Sequence, residues 1–161
     1  MQKTRQTILV LDNIRSVMNV GSMFRTANAL GMSKIYLCGI TPTPFDNYGR
    51  ERKDFLKVSL GAEKTVPWEH VLDTALLVRK LRTEGSYVIA LEQDARAVDY
   101  KKVDVADKES VAFVLGAEVE GVSKDVLDES SVIAEIPVLG TKESLNVTIA
   151  MGVATYRILG V

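Results

Sequence analysis

Runs of β-branched residues alternate with helical patterns along the whole chain, and this alternation limits the possible folds more than any other feature. Strands separated by helices favour a mainly parallel sheet flanked by helices on both faces, because parallel neighbours need long crossover connections. We therefore predict one α/β domain over residues 1–161, without repeats or linkers. The strand-like runs are TILVLDN (7–13), KIYLCG (34–39), YVIALEQ (87–93), SVAFVLG (110–116) and VIAEIPV (132–138).

Helical patterns and turn residues fill the intervals between these runs. Glycines mark two helix ends, at Gly31 and Gly85. Two prolines, a glycine and dense charge indicate a long loop after the second strand, and such loops are usually functional or mobile. The predicted segments are a helix over 19–30, a loop over 40–57, a mostly helical stretch over 68–84 and a final helix over 144–160.

The final helix would carry apolar side chains on almost every side. A helix of that kind must be buried, and in a domain of this size we expect a second subunit to supply part of the burial. A plain core helix is the alternative. Gly152, in its middle, costs about 1 kcal/mol relative to alanine, and close approach of another backbone would explain its presence.

Glycine-rich or polar turns follow three of the predicted strands. Ligands of open parallel sheets bind beyond the carboxyl ends of the strands, so these turns predict a pocket, although any α/β protein places glycines there. Neither GxGxxG nor GxxxxGK[ST] occurs. Glu118 and Glu120 would repel phosphate, so we expect a cationic or hydroxyl-bearing ligand. The turns are LDNIRSVMNVG, LGAEVEG and IPVLGTKESLN.

Cysteine, histidine and hydropathy exclude several classes of protein. The single cysteine, Cys38, excludes an internal disulfide and suggests a reducing, cytoplasmic location. The only histidine, His70, lies in what resembles a helix start, so neither a histidine triad nor a metal site is expected. No apolar run approaches the roughly 20 residues that span a bilayer, and MQKTRQTILVLDN lacks the cleavage site of a signal peptide.

Positive charge is concentrated in the first part of the chain. Residues 1–64 carry ten Lys or Arg against five Asp or Glu, whereas residues 65–161 carry ten against sixteen. The field of the first part would attract a polyanion. Chance clustering on solvated faces explains the charges equally well.

Three ordered stretches resemble the motifs of a known enzyme family. They are NVGSMFRTANALG (19–31), FVLGAEVEGVS (113–123) and IPVLGTKESLNVTIA (136–150). In order and spacing they resemble the SpoU (TrmH) family, part of the SPOUT superfamily of S-adenosylmethionine-dependent RNA methyltransferases. The resemblance covers nearly the whole chain. It implies an α/β fold with a C-terminal deep trefoil knot, which sequence patterns alone would not predict, and a homodimer. The chain departs from the larger members of the family, because we expect no added RNA-binding domain here.

The activity implied by the resemblance is transfer of a methyl group from S-adenosylmethionine to a ribose 2′-oxygen of RNA, without a metal. Positioning of the reactants alone can lower the activation barrier of such a reaction by several kcal/mol. Family members bind the cofactor through main-chain groups of the knot loops, and a glycine there permits close approach to a ligand. Ordinary core packing is the alternative for the apolar members. The implied cofactor-binding residues are Leu91, Gly116, Ile136 and Leu145.

The resemblance also implies five catalytic positions. Ser144 would equally serve as the N-cap of the final helix, and both roles stay open. Asn146, one turn into that helix, needs a polar partner, which substrate or Glu118 would supply. Glu118 suits an orienting acceptor for hydroxyls or amides. The implied catalytic residues are Asn19, Arg25, Glu118, Ser144 and Asn146.

Arg25 is open to two interpretations. It lies nearly opposite the apolar stripe of its helix, so periodicity alone favours a solvated side chain. The resemblance makes it catalytic. Because guanidinium groups stay protonated in proteins, we expect a fixed cation that holds an RNA phosphate and stabilises a developing alkoxide, rather than a base.

RNA recognition would then depend on this domain alone, across a dimer. We expect tRNA ahead of ribosomal RNA. A non-catalytic RNA-binding or assembly protein on the same fold is the alternative function. The candidate RNA-binding residues are Lys3, Arg5, Arg15, Arg25, Arg50, Arg52 and Lys53.

Overall fold

The computed structural model describes residues 4–161, so Lys3 lies outside the described residues. Seven strands and six α-helices alternate along this part of the chain, with a 3₁₀ turn at Tyr100–Lys102. The strands are β1 (Gln6–Asp12), β2 (Lys34–Cys38), β3 (Trp68–Val71), β4 (Tyr87–Leu91), β5 (Val98–Asp99), β6 (Ser110–Gly116) and β7 (Val132–Glu135). The helices are α1 (Val17–Ala29), α2 (Lys53–Ser59), α3 (Ala62–Thr65), α4 (Thr74–Thr83), α5 (Lys124–Glu129) and α6 (Val147–Leu159).

All seven strands belong to one parallel sheet, in the order β3-β2-β1-β6-β4-β7-β5. Successive residues of a strand point to opposite faces, and β6 shows the result. Val111, Phe113 and Leu115 join the core on the face covered by α1 and α6, whereas Ala112 and Val114 join the core under α4 and α5. The predicted α/β class with helices on both faces is confirmed. The knot stays a prediction.

The first helix begins earlier than predicted. Its N-cap is Ser16, whose Oγ accepts a hydrogen bond from the backbone N–H of Asn19 at 3.2 Å. Asn19 therefore lies inside the first turn, where its side chain is free to contact another element. The predicted apolar stripe is confirmed, since Val20, Met23 and Phe24 are buried.

The stretch over residues 68–84 is helical over Thr74–Thr83, as predicted for most of it, but the helix start predicted around His70 is wrong. Trp68–Val71 forms β3, which pairs in parallel with β2 at the edge of the sheet, and α4 begins only after the N-cap Asp73. His70 lies in that strand and not at a helix start. Sheet pairing overrides a local pattern that is too short to decide between strand and helix.

The predicted loop over 40–57 is shorter than expected, because α2 begins at Lys53. This short helix is held by Phe55, which is fully buried and meets Phe24 edge-on with ring centroids 5.2 Å apart. Burial of Phe55 against Phe24 thus packs α2 on α1.

The final helix is capped by Asn146 and not by Ser144, and it is buried on one side only. Asn146 Oδ1 accepts a hydrogen bond from the Thr148 N–H at 2.9 Å, so Asn146 precedes the helix and does not lie one turn into it. On the opposite side Ile149, Val153 and Tyr156 remain exposed in the single chain. An added Cβ at Gly152 would meet nothing within 4 Å, so the close approach expected there does not occur within this chain.

Two further properties concern the cysteine and the hydropathy of the helices. Cys38 is buried in β2, and this burial raises the pKa of its thiol to about 12. Over residues 4–161, no helix is both long enough and apolar enough to cross a membrane.

Candidate functional site

A cavity of about 610 Å³ lies at the carboxyl ends of β4, β6 and β7. Its walls come from the segments that follow these three strands and from the start of α6. This is the edge at which parallel sheets bind ligands. Of the three turns predicted to line a pocket, those after β6 and β7 do so, whereas the turn after β1 does not. The segment after β4 lines the cavity although its turn was not among the three.

All four residues implied to bind a cofactor line this cavity: Leu91, Gly116, Ile136 and Leu145. Leu91 and Ile136 are half-buried, and Leu145 is exposed by 42%. Their side chains give the cavity an apolar component beside its polar groups.

Gly116 is required for a different reason from the one expected. A Cβ at this position would lie 2.1 Å from the Val122 nitrogen and 2.2 Å from the Gly121 carbonyl carbon. The close approach therefore comes from the returning backbone of the same loop. Because backbone atoms cannot swing aside like a side chain, the loop over residues 117–121 closes only over a glycine.

Glu118 connects this loop to the start of α1. Its Oε1 accepts a hydrogen bond from Asn19 Nδ2 at 3.0 Å and a longer one from the Ser16 N–H at 3.4 Å. Its Oε2 accepts from the Arg15 N–H at 3.5 Å. The structure thus brings together two residues implied to be catalytic, Asn19 and Glu118, which lie 99 positions apart in the sequence.

These contacts favour the charged form of Glu118. Partial desolvation raises the pKa of its carboxyl. That effect is outweighed by hydrogen bonds from its own backbone N–H, from the Asn19 amide and from the N–H groups of Arg15 and Ser16, so the pKa lies below its ordinary value. Donors at a helix N-terminus stabilise a carboxylate in this way.

Glu92 and Gln93, which the sequence analysis missed, fix two different segments beside the cavity. Glu92 Oε2 accepts from the Val122 N–H at 2.9 Å. Gln93 Nε2 donates to the carbonyl oxygen of Glu143 at 2.8 Å and so holds the segment before α6. A carboxylate directly after a buried strand was the available signal, since such residues reach the ligand edge of the sheet.

Asp12 anchors the far end of the loop. This carboxylate is only 2% exposed. It accepts hydrogen bonds from Thr74 Oγ1 at 2.6 Å and from the Ser123 N–H at 3.1 Å. A buried carboxylate that is satisfied in this manner ties β1 to the starts of α4 and α5.

Ser144 and Asn146 also line the cavity. Asn146 Oδ1 accepts the hydrogen bond that caps α6, whereas its Nδ2 has no hydrogen bond among the described residues. Ser144 is exposed and has no hydrogen bond within residues 4–161. Asn146 Nδ2 is therefore free to donate to an acceptor on a ligand, and the Ser144 hydroxyl is free to donate or accept.

Arg25 does not line the cavity. It is exposed on α1, with no hydrogen bond or ion pair to any other described residue. Arg15 lies closer to the cavity loop and forms an ion pair with Glu120 at 2.8 Å.

The other basic candidates fall into two groups. Arg5 lies at the opposite edge of the sheet, where its guanidinium donates to the carbonyl oxygens of Val105 at 2.9 Å and Lys108 at 3.0 Å. The rest lie before or within α2. There Arg50 pairs with Asp46 at 2.8 Å and Arg52 with Asp54 at 3.3 Å, whereas Lys53 has no ion pair among the described residues.

The cavity has an acidic lining. Four carboxylates line it, and no Lys, Arg or His is found among the described residues of its walls. Such a lining repels phosphate and attracts a cation, as expected from Glu118. The four are Glu92, Glu118, Glu135 and Glu143.

Comparisons with known proteins identify a family and relatives of this chain. Residues 6–156 match the family profile described as the SpoU rRNA Methylase family. The chain is 32% identical over 154 residues to the 23S rRNA (guanosine-2'-O-)-methyltransferase RlmB of Ralstonia nicotianae, a match that covers 93% of this chain and 57% of the relative. The chain therefore spans little more than half the length of that curated relative.

Solved structures share the fold. The AdoMet-bound rRNA methyltransferase of Sinorhizobium meliloti superposes with a TM-score of 0.85 at 29% identity, over 98% of this chain and 57% of the other. A structure described as giving insights into the 2-OH methylation of C/U34 on tRNA superposes with a TM-score of 0.74 at 25% identity. That match covers 97% of this chain and 98% of the other.

Proposed function

The chain belongs to the SpoU rRNA Methylase family, and on that premise we propose that it transfers a methyl group from S-adenosylmethionine to a ribose 2′-hydroxyl of RNA. One observation carries the proposal. A single cavity is lined by the four residues implied to bind the cofactor and by Glu118, Ser144 and Asn146. Asn19 is bonded to one of them.

The cavity suits the cofactor in size and charge. Its volume lies within the range of small-molecule sites. The apolar side chains of Leu91, Ile136 and Leu145 suit an adenine ring, and the acidic lining suits a ligand with a positive sulfonium. When bound, S-adenosylmethionine supplies an electrophilic methyl group, and no metal is needed.

In this proposal Glu118 and Asn19 position the site rather than move protons. Both carboxylate oxygens of Glu118 already accept hydrogen bonds from the start of α1. They hold the loop over 117–121 in one arrangement, which fixes the wall of the cavity. A preorganised wall orients the reacting groups without a further ordering cost during the reaction.

Arg25 is proposed as a fixed cation on the RNA side. It is exposed and has no acidic partner among the described residues, so its guanidinium is available for a phosphate. A bidentate contact would orient the nucleotide and stabilise negative charge on the neighbouring 2′-oxygen. This electrostatic role does not require the guanidinium to lose its proton.

The substrate is proposed to be RNA, with tRNA ahead of ribosomal RNA. The tRNA expectation is supported by the solved neighbour that is described in connection with C/U34 on tRNA. The RlmB relative is named for 23S rRNA, so ribosomal RNA is the competing substrate. Both tRNA and ribosomal RNA should therefore be tested as substrates.

A homodimer is part of the proposal, supported by the exposed side of α6. Ile149, Gly152, Val153 and Tyr156 follow the i, i+3, i+4, i+7 spacing of one helix face. Such a face needs an apolar partner, and the absence of a side chain at Gly152 would let a second helix approach closely. Light scattering coupled to size-exclusion chromatography should give twice the chain mass, and Val153→Lys should shift it to the monomer.

A cytoplasmic location is also proposed. Cellular tRNA and ribosomal RNA are found there, and the buried Cys38 thiol with its raised pKa is unsuited to disulfide exchange. The protein recovered from soluble and membrane fractions of its host should be found in the soluble one.

The experiment that tests the activity uses S-adenosylmethionine labelled in its methyl group together with total RNA. Alkaline digestion should leave the label in alkali-resistant dinucleotides, since a 2′-O-methyl group blocks cleavage at the next phosphate. Cofactor binding without transfer would favour the non-catalytic alternative. Neither binding nor transfer would contradict the proposal.

A further inference from the structure

Tyr48 is the most exposed aromatic side chain among the described residues. It is 84% exposed, at the tip of a turn between Phe45 and Glu51, which form an antiparallel bridge. The turn lies in the segment that connects β2 to α2. Large aromatic rings normally bury most of their surface, so an outward ring on an ordered turn needs an explanation.

The turn is held in one conformation by Asp46. Its Oδ1 accepts hydrogen bonds from the N–H groups of Tyr48 at 2.8 Å and Arg50 at 2.9 Å. Its Oδ2 accepts from Arg50 Nε at 2.8 Å. Gly49 takes the positive φ of 76° that the turn requires. The exposure of Tyr48 is therefore built into a fixed turn and does not result from a loose one.

Only one face of the tyrosine ring is covered. The Arg50 guanidinium carbon lies 5.0 Å from the ring centroid, in a cation–π arrangement. Within residues 4–161, the ring has no other aromatic or cationic contact, and its hydroxyl has no hydrogen bond. The free face is thus available to a flat partner.

Basic residues outnumber acidic ones after Tyr48, with Arg50, Arg52, Lys53 and Lys57 against Glu51 and Asp54 over residues 49–57. Lys53 and Lys57 are exposed on α2, with no ion pair among the described residues. Helix α2 packs on α1 through Phe55 and Phe24, and Arg25 is the next residue along α1. An aromatic face beside unpaired cations is the combination that proteins use to bind unpaired nucleotides.

We propose that Tyr48 stacks on an unpaired base of the RNA substrate, with Arg50 behind the ring and Lys53 and Lys57 near the adjacent phosphates. This inference rests on the proposed function, since it assigns part of the substrate surface of the same enzyme. It commits to a single-stranded or looped region, because bases inside a duplex do not offer their faces.

The test compares Tyr48→Ala, Tyr48→Phe and a matched control, Leu72→Ala. Leu72 is 83% exposed and directly follows β3, outside the turn. Affinity is measured by fluorescence anisotropy, without cofactor, for a labelled hairpin RNA with an unpaired loop and for a fully paired duplex of equal length.

The alanine variant should bind the hairpin about 5- to 150-fold more weakly, the range that corresponds to about 1–3 kcal/mol of stacking per base. Tyr48→Phe and Leu72→Ala should bind like the wild type. Duplex affinity should change less than about twofold, and the salt dependence should be unchanged because tyrosine carries no charge. Hairpin affinity equal to that of the wild type, or an equal loss for the duplex, would overturn the inference.

A cross-link gives a second readout that does not depend on affinity. Hairpin RNA with 4-thiouridine in its loop should cross-link to the peptide that contains Tyr48 in the wild-type protein. Cross-links confined to other peptides would contradict the proposal, as would a Tyr48→Ala variant that changes the oligomeric state but not RNA affinity.

The two proposals can fail separately. If the wild type methylates RNA and Tyr48→Ala binds the hairpin equally well, only the stacking role is wrong. If no methyl transfer occurs but hairpin affinity still depends on the Tyr48 ring, only the proposed activity is wrong.

Discussion

The cavity loops and the surface around α1 and α2 contrast in charge and in constraint. In the cavity loops, Glu92, Gln93 and Glu118 each use their side chains on hydrogen bonds to other segments. On the other surface, Arg25 and Lys53 have no such partner among the described residues. We call this second surface the basic face. It comprises the unpaired Arg25, Lys53 and Lys57, together with Arg50 and Arg52, which form ion pairs with Asp46 and Asp54.

The contrast matches two different tasks. A small cofactor must be held in one orientation, so the groups around it are fixed by neighbours before binding. RNA presents a repeating charge, so cations facing it can remain solvated until they meet a phosphate. Changes in the cavity loops should therefore affect cofactor binding, whereas changes in the basic face should affect RNA alone.

The largest effect is expected from Gly116→Ala. The new Cβ would collide with the backbone at Gly121 and Val122, so the loop must open. We expect the free energy of unfolding to fall by about 3 kcal/mol and S-adenosylmethionine affinity to fall about 100-fold, measured by urea unfolding and calorimetry. Gly140→Ala is the control for the free energy of unfolding, since a Cβ there meets nothing within 4 Å. Near-normal affinity in the Gly116 variant would show that the cavity wall does not depend on this closure.

The second-largest effect is expected from Arg25→Lys, which keeps the positive charge but removes the planar guanidinium group that forms bidentate contacts. The methyl-transfer rate should fall by about tenfold or more, with S-adenosylmethionine affinity within about twofold of the wild type, because Arg25 does not line the cavity. Arg157→Lys, at another exposed arginine without a partner among residues 4–161, is the control. Full activity in Arg25→Lys would eliminate the bidentate contact.

A smaller effect is expected from Glu118→Gln, and it should depend on pH. The folded-state pKa of Glu118 is lowered, so its carboxylate stabilises the fold above the ordinary value of 4.5 and this contribution is lost as the pH falls through the lowered value. At neutral pH the variant should lose roughly 1 kcal/mol of unfolding free energy, because the carboxylate is exposed and its hydrogen bonds are screened.

The difference between Glu118→Gln and the wild type should then disappear in acid, as followed by urea unfolding across the pH range. Glu120→Gln, which removes only an exposed ion pair with Arg15, should cost less at every pH. A Glu118 effect that persists unchanged in acid would show that the carboxylate charge is not what holds the loop.

The smallest effect is expected from Lys53→Gln. Loss of one phosphate contact should reduce the slope of log affinity against log salt concentration by about 1 for RNA. Binding of S-adenosylmethionine should not change. Lys80→Gln on α4, across the sheet, is the control and should leave the slope intact.

The parts of the fold that could be predicted from the sequence are those with long, unambiguous patterns. The buried runs that became β1 and β6 are seven residues each and rich in β-branched side chains. Edge elements were missed because they are short. Strand β5 has two residues, and β3 has four that follow no clear period.

The cofactor residues came from family resemblance and not from local chemistry, since Leu91, Ile136 and Leu145 look like any core residues. Glu92 could have been noticed as a carboxylate that follows a buried strand. The bond between Asn19 and Glu118 could not, because it joins positions 99 residues apart whose meeting depends on the order of strands in the sheet.

The most direct test of the central claim is mass spectrometry of nucleosides from tRNA and ribosomal RNA that have been incubated with the protein and S-adenosylmethionine. The proposed function predicts a new nucleoside whose added methyl group stays with the ribose fragment, formed by the wild type and sharply reduced with Arg25→Lys. A methyl group on the base, or no new nucleoside in either RNA, would contradict it.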